Sequence, residues 1–173
     1  MEQITLRPAT PADADAIAAV QVASWHATYR GMMPDAVLDA FTVAVRGLRW
    51  REILAAPTGD ARTVVLAADG RVRGFASTGA SRDDDGAGAA ELYAIYVDPA
   101  SLRRGYGAML LGAALGGVAA GGGRVVTLWV LEANAAARRF YEAQGFVADG
   151  ARKLDARLGD AAELRYRIAL DAG

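Results

Sequence analysis

Val97-Asp98-Pro99-Ala100-Ser101-Leu102-Arg103-Arg104-Gly105-Tyr106-Gly107-Ala108-Met109-Leu110-Leu111 leads from an apolar strand through a glycine-bearing loop into a helix. Free backbone N–H groups at such a helix start converge on one spot, and the helix dipole favours negative charge there. Glycine lets the backbone approach an anion where a Cβ would intrude. Arg103 and Arg104 can add charge-assisted hydrogen bonds, which makes a pyrophosphate the natural guest. A second reading stays open here, in which Gly105 and Gly107 only let the helix pack close to the sheet. No Gly-Lys-Ser/Thr follows, so the loop is not a Walker loop. A dinucleotide-binding turn would need glycine where Leu110 stands, and Pro99 to Arg104 intervene where that motif turns directly out of its strand.

Reading outward from the loop, Glu91 to Val97 is rich in β-branched and aromatic residues and is expected to be a central strand. Downstream, Met109 to Ala120 reads as a helix stopped by Gly121-Gly122-Gly123. Val125 to Leu131 reads as a buried parallel strand, and Ala135 to Gln144 as a helix ended by Gly145. Phe146 to Leu154 and Glu163 to Leu170 then form a closing antiparallel pair. Upstream, Ile4 and Leu6 alternate in a short first strand, and 12–29 carries helical periodicity with Asp13 and Asp15 in its first turn. A second helix is expected from Pro34-Asp35 to Leu54, with a break at Gly47. Arg62 to Ala68 and Arg71 to Thr78 flank Asp69-Gly70, the signature of a two-residue hairpin turn. Asp83 to Gly88 is a polar loop, whose aspartates either attract a cationic amine or simply keep the loop solvated. No repeat or linker divides the chain, which predicts one α+β domain over 1–173 around a mixed sheet.

Composition narrows the chemistry. The 173 residues are 53% hydrophobic and 23% charged, an ordinary globular balance. With 19 basic and 20 acidic side chains the net charge is −1, which gives no general field for nucleic acid or an anionic membrane. The chain has no cysteine and one histidine, His26, which rules out disulfides and a thiol nucleophile and argues against a metal centre or a Ser-His-Asp site. There is no basic flank followed by an apolar run at the N-terminus and no membrane-length apolar stretch, so a cytoplasmic protein is expected.

Leu102-Arg103-Arg104-Gly105-Tyr106-Gly107 resembles the acetyl-CoA loop of the GCN5-related N-acetyltransferase (GNAT) family, Gln/Arg-x-x-Gly-x-Gly/Ala, with Leu102 departing from the pattern. A second family motif runs from Leu128 to Phe146 and includes Asn134-x-x-Ala137, Phe140-Tyr141 and Gly145-Phe146. Ala23 to Gly31 is similar to the first helix of a common bacterial branch, so the resemblance spans essentially the whole chain.

The resemblance implies a mostly antiparallel mixed sheet of about seven strands, with helices on both faces and a splay between the fourth and fifth strands. In that splay Ile95, Tyr96 and Val97 would pair with the pantetheine arm, and Arg103, Arg104, Gly105, Tyr106, Gly107 and Ala108 would hold the pyrophosphate. Asn134 and Ala137 would line the opposite wall, although Asn134 is spaced equally well to cap the following helix. Tyr141 matches the family's usual acid for the leaving thiolate, with packing beside Phe140 as the alternative. The backbone N–H near Tyr96 would donate to the thioester oxygen. Tyr93 stands where some relatives carry a glutamate base. Glu91, one alternation away, would either act through water or be a solvated strand-end carboxylate. Trp25 and Tyr29 share a helix face and either wall the acceptor pocket with Tyr93 or only pack. His26 reads as a surface or packing residue. The implied activity is acetyl-CoA-dependent acetylation of a primary amine, that of a small molecule, with no nucleic-acid partner and room for a homodimer. A non-catalytic acyl-CoA sensor and, third, an NAD-type oxidoreductase are the competing readings.

Overall fold

The computed structural model describes residues 2–170. Seven strands form one sheet in the order β1-β2-β3-β4-β5-β7-β6. Their ranges are β1 Ile4–Pro8, β2 Arg62–Ala68, β3 Arg71–Ala80, β4 Ala90–Val97, β5 Val125–Leu131, β6 Val147–Asp155 and β7 Ala161–Ala169. Every neighbouring pair is antiparallel except β4 and β5, which run parallel. Those two pair only at Ala90↔Val126 and Glu91↔Thr127 and then part. The expected α+β class, mixed sheet and splay between the fourth and fifth strands are therefore present.

The sheet is covered on both faces. Helix α1 (Ala14–Tyr29) and helix α3 (Val43–Ala55) bury Ile17, Val20 and Trp50 against Val65 and Phe75 on one side. On the other, α4 (Tyr106–Ala120) sets Leu110 and Leu111 against Leu66, Leu92, Val126 and Leu128, and α5 (Ala135–Ala143) adds Phe140 and Tyr141. Asp69 and Gly70 take φ of 49° and 74°, the positive pair that a type I′ hairpin turn requires. Among the described residues no helix is long and apolar enough to cross a membrane.

Several local expectations are corrected. The second helical segment does not break at Gly47. It is split by Ala40 to Thr42 into α2 (Asp35–Asp39) and α3, where the Thr42 side chain caps α3 by accepting the Val45 N–H at 3.3 Å. Gly47 instead lets α3 approach α1, because a Cβ there would lie 2.8 Å from an Asp15 oxygen. Asp13 stands just before α1, as its N-cap, and not in its first turn. It is buried in a one-turn 3₁₀ segment and takes both ends of the Arg7 guanidinium, at 2.7 and 2.8 Å. Those hydrogen bonds, aided by the Thr10 N–H, hold its carboxyl down at about 2. Helix α4 begins three residues earlier than the periodicity suggests, at Tyr106, because Gly105 adopts φ +80° and turns the chain directly into it.

Strand β4 carries a bulge. The register against β3 passes from Ser77↔Ala94 to Thr78↔Leu92, leaving Tyr93 as an extra residue. Leu92 and Ile95, three apart, consequently share the α4 face, while Ala94 and Tyr96 face α1. The Tyr93 hydroxyl donates to the Ala80 carbonyl at 2.5 Å, and its ring lies over Gly79, where a Cβ would collide with it.

Candidate active site

Where β4 and β5 part, a cleft of about 1410 Å³ runs through the molecule from the start of α4 to the space between α1, α2 and the β6–β7 turn. At the α4 end, the first helical N–H to find a backbone acceptor is that of Met109, which bonds the Gly105 carbonyl at 3.1 Å. The amides of Tyr106, Gly107 and Ala108 precede it in the first turn and border the cleft. Gly105 sits in the left-handed region, and Arg103 is there too at φ 61°. A Cβ on Gly107 would come within 3.4 Å of the Phe140 ring. A cradle of outward amides with a glycine-lined approach fits a pyrophosphate.

The two loop arginines part company. Arg103 lines the cleft, whereas Arg104 points to Glu2, with Nη1 at 3.1 Å from its carboxylate, and does not line the cleft. The Tyr106 hydroxyl also donates to Glu2, at 2.7 Å. Leu102 lies at the cleft rim, 57% exposed, where it cannot donate a hydrogen bond.

Further in, three phenols converge. Tyr29, Tyr96 and Tyr141 act on one another electrostatically and all line the cleft. Burial raises all three above the ordinary phenol value, so each is neutral across the physiological range. The Tyr141 ring packs edge-on to Phe140 and Phe146, at 5.3 and 5.8 Å, which fixes its direction. Asn134 caps α5 through its side-chain oxygen and lies beside the Tyr29 hydroxyl. Ser24 Oγ donates to the Val97 carbonyl at 2.7 Å, tying α1 to the end of β4.

Trp25 stacks on Phe41 with centroids 3.9 Å apart and meets Tyr29 edge-on. Its indole N–H is buried without a partner in hydrogen-bond geometry, although it acts on the Tyr96 hydroxyl. Glu91 lines the cleft but is only 2% exposed, and Arg82 occupies it through the backbone N–H, Nε and Nη2. Arg82 also covers the Tyr93 ring. Ile95, Val97 and Ala137 are all on the cleft wall. His26 lies outside the cleft, near the Phe41 carbonyl and Arg30. The aspartate loop is structural: Trp129 Nε1 and Arg165 both donate to Asp83, and Arg165 also reaches Asp85 and Asp149.

Two cleft residues have no motif to mark them. Arg46 on α3 donates to Gln21 Oε1 at 3.1 Å and lies over Phe41. Glu163 on β7 is nearly buried, 3.6 Å from Lys153 Nζ, and burial raises its carboxyl. Both line the same cleft as Tyr96.

Residues 23–146 match the family described as Acetyltransferase (GNAT) family. The chain is 32% identical over 133 residues to the uncharacterized N-acetyltransferase YuaI of Bacillus subtilis strain 168, covering 76% of this chain and 73% of that one. Its fold is similar to a structure assigned to the GNAT family from Desulfovibrio desulfuricans, with TM-score 0.74, 25% identity and 96% and 99% of the two chains covered. It is equally similar, at TM-score 0.74 and 20% identity over 94% and 98% of the chains, to the PaiA N-acetyltransferase of Thermoplasma acidophilum in complex with coenzyme A. Taken with the loop, the splayed strands and the phenol-lined cleft, these matches establish that the chain belongs to the GNAT family of acetyltransferases.

Proposed function

We propose that the protein transfers an acetyl group from acetyl-CoA to the primary amine of a small molecule, by direct attack and without a covalent enzyme intermediate. The observation that carries this reading is the continuous cleft, which joins the amide cradle at Tyr106–Ala108 to the Tyr141 and Tyr96 hydroxyls through the gap between β4 and β5. The residues fit acetyl-CoA: the cradle suits its pyrophosphate, and Ile95–Val97 has no strand on its β5 side, which leaves backbone groups for pantetheine amides. Bound acetyl-CoA supplies the thioester carbonyl that a neutral amine attacks.

The chain's own groups then have separate tasks. The β4 backbone near Tyr96 orients the carbonyl and donates to its oxygen. Tyr141 holds its proton at the hydroxyl until the sulfur needs it, a task suited to a phenol that burial keeps neutral. We assign the ammonium's proton, passed through water, to Glu163 in preference to Glu91. Both oxygens of Glu91 are occupied by three hydrogen bonds from Arg82, whereas burial raises the Glu163 carboxyl and makes it the stronger base.

Calorimetry with acetyl-CoA, CoA and NAD, followed by thiol release across a panel of amines, tests the reading. Acetyl-CoA and CoA are expected to bind and NAD not to. Bulkier residues at both Gly105 and Gly107 should weaken acetyl-CoA and CoA alike, and unchanged CoA affinity in that folded variant would remove the cradle from the site.

A further inference from the structure

The acceptor end of the cleft holds an unbalanced set of donors. Arg46 is half-buried there, and among the described residues no carboxylate lies within ion-pair distance of it. Its side-chain hydrogen bond goes to the neutral Gln21 amide, an acceptor shared with Trp50 Nε1. Beside it the Trp25 indole N–H is buried with nothing in hydrogen-bond geometry. Both meet the Phe41 ring, which stacks on Trp25 at 3.9 Å and lies 5.0 Å from the Arg46 guanidinium, and both line the cleft, so they share one locality. A buried N–H with no acceptor, next to a half-buried guanidinium whose side-chain hydrogen bond goes to a neutral amide and not to a carboxylate, carries a standing free-energy cost that an anion placed between them would reduce.

The remaining charges of this region are accounted for. Arg82 is paired with Glu91, Arg157 with Asp155, and Lys153 with Glu163. Glu163 sits on β7 and lines the same cleft as Arg46 and Trp25. One guanidinium and one N–H match a singly charged, two-oxygen anion and are too few donors for a dianionic phosphate. The nearby ring surfaces of Trp25, Phe41 and Tyr29 are apolar.

Resting on the acetyltransferase reading, we infer that the acceptor amine carries a carboxylate of its own. Arg46 and the Trp25 indole N–H hold that carboxylate while the ammonium faces Glu163. The substrate class is thus an amino acid with an apolar side chain, not a simple amine or a polyamine.

The test uses the full chain saturated with CoA and matched product pairs that differ only in the carboxylate, such as N-acetylleucine with N-isopentylacetamide, with methyl, benzyl and indolylmethyl side chains completing the panel. In at least one pair the carboxylate-bearing member should bind about tenfold tighter or more. Arg46→Gln should abolish that advantage, Arg46→Lys should keep part of it, and Trp25→Phe, which preserves the stack, should reduce it several-fold. In thiol-release assays the ratio of kcat/KM for amino acid over decarboxylated amine should collapse in Arg46→Gln. The inference is overturned if no carboxylate-bearing product outbinds its partner, or if Arg46→Gln weakens both members equally. Should CoA bind while the pairs are not discriminated, the inference alone falls; should CoA itself fail to bind, the acetyltransferase reading falls and takes the inference with it.

Discussion

Asn134 Oδ1 accepts the backbone N–H of Ala137 at 3.1 Å, so the oxygen end of this amide caps α5 and only its nitrogen end is free to donate into the cleft. The two roles open to Asn134 therefore belong to different atoms of one side chain and separate experimentally. Asn134→Asp keeps the capping oxygen and replaces the NH₂ donor, so stability should hold within about 0.5 kcal/mol while acetyl-CoA affinity drops about fivefold or more. Asn134→Ala should lose both, with about 1 kcal/mol of stability gone. Denaturation midpoints and calorimetric Kd values check this, and an Asp variant that binds normally would leave Asn134 as a cap alone.

Tyr141→Phe removes a hydroxyl but keeps the ring against Phe140 and Phe146. With Tyr141 as proton donor, kcat should fall about 100-fold while acetyl-CoA affinity stays within a few-fold. Single-turnover kinetics, in which product release does not contribute, read this directly. A rate within about threefold of the unsubstituted protein would leave water as the donor.

Glu163 and Glu91 are distinguished by pH. A base must be deprotonated to work, and burial raises the Glu163 carboxyl, so kcat/KM should fall as pH drops through a value above that of an ordinary glutamate. Glu163→Gln should lower kcat/KM about tenfold or more and erase that acidic limb. Glu91→Gln should keep the limb, because its effect would come from releasing Arg82. An intact limb in Glu163→Gln that vanishes in Glu91→Gln would return the role to Glu91.

Acid stability is expected to pass through Asp13. Its folded carboxyl lies at about 2, below the unfolded value, so its contribution is present above the unfolded value and lost as pH falls towards 2. Asp13→Asn should cost on the order of 2 kcal/mol at neutral pH. The gap in Tm between the two proteins should close on acidification, and a gap independent of pH would mean that the Arg7 ion pair is not its source.

Much of this architecture is legible in the chain because it is written locally. Asp69-Gly70 encodes its hairpin, Gly105 encodes the turn into α4, and Asn134 encodes the start of α5. The bulge at Tyr93 is not legible, since Glu91 to Val97 reads as an unbroken strand and only pairing with β3 exposes the extra residue. Gly47 misleads for a related reason: a glycine within a helical pattern signals a break unless the helix packed against it is known. Arg46 and Glu163 belong to elements far apart in sequence and to no motif, so their shared place on the cleft wall with Tyr96 emerges only from the tertiary fold.

The parting of β4 from β5 gives the sheet two more edges than its outer strands β1 and β6 already provide. Exposed edges ordinarily recruit strands from other chains and seed aggregation. These two lie inside the molecule, facing each other across a slot roofed by α1, which Ser24 ties down at Val97, and by Tyr141 of α5. A lone extended molecule can thread such a slot and pair with it, whereas the strand of another folded protein cannot enter. The geometry we propose for a thin, amide-bearing ligand would therefore also shield the protein from edge-to-edge association at its most adhesive interior backbone.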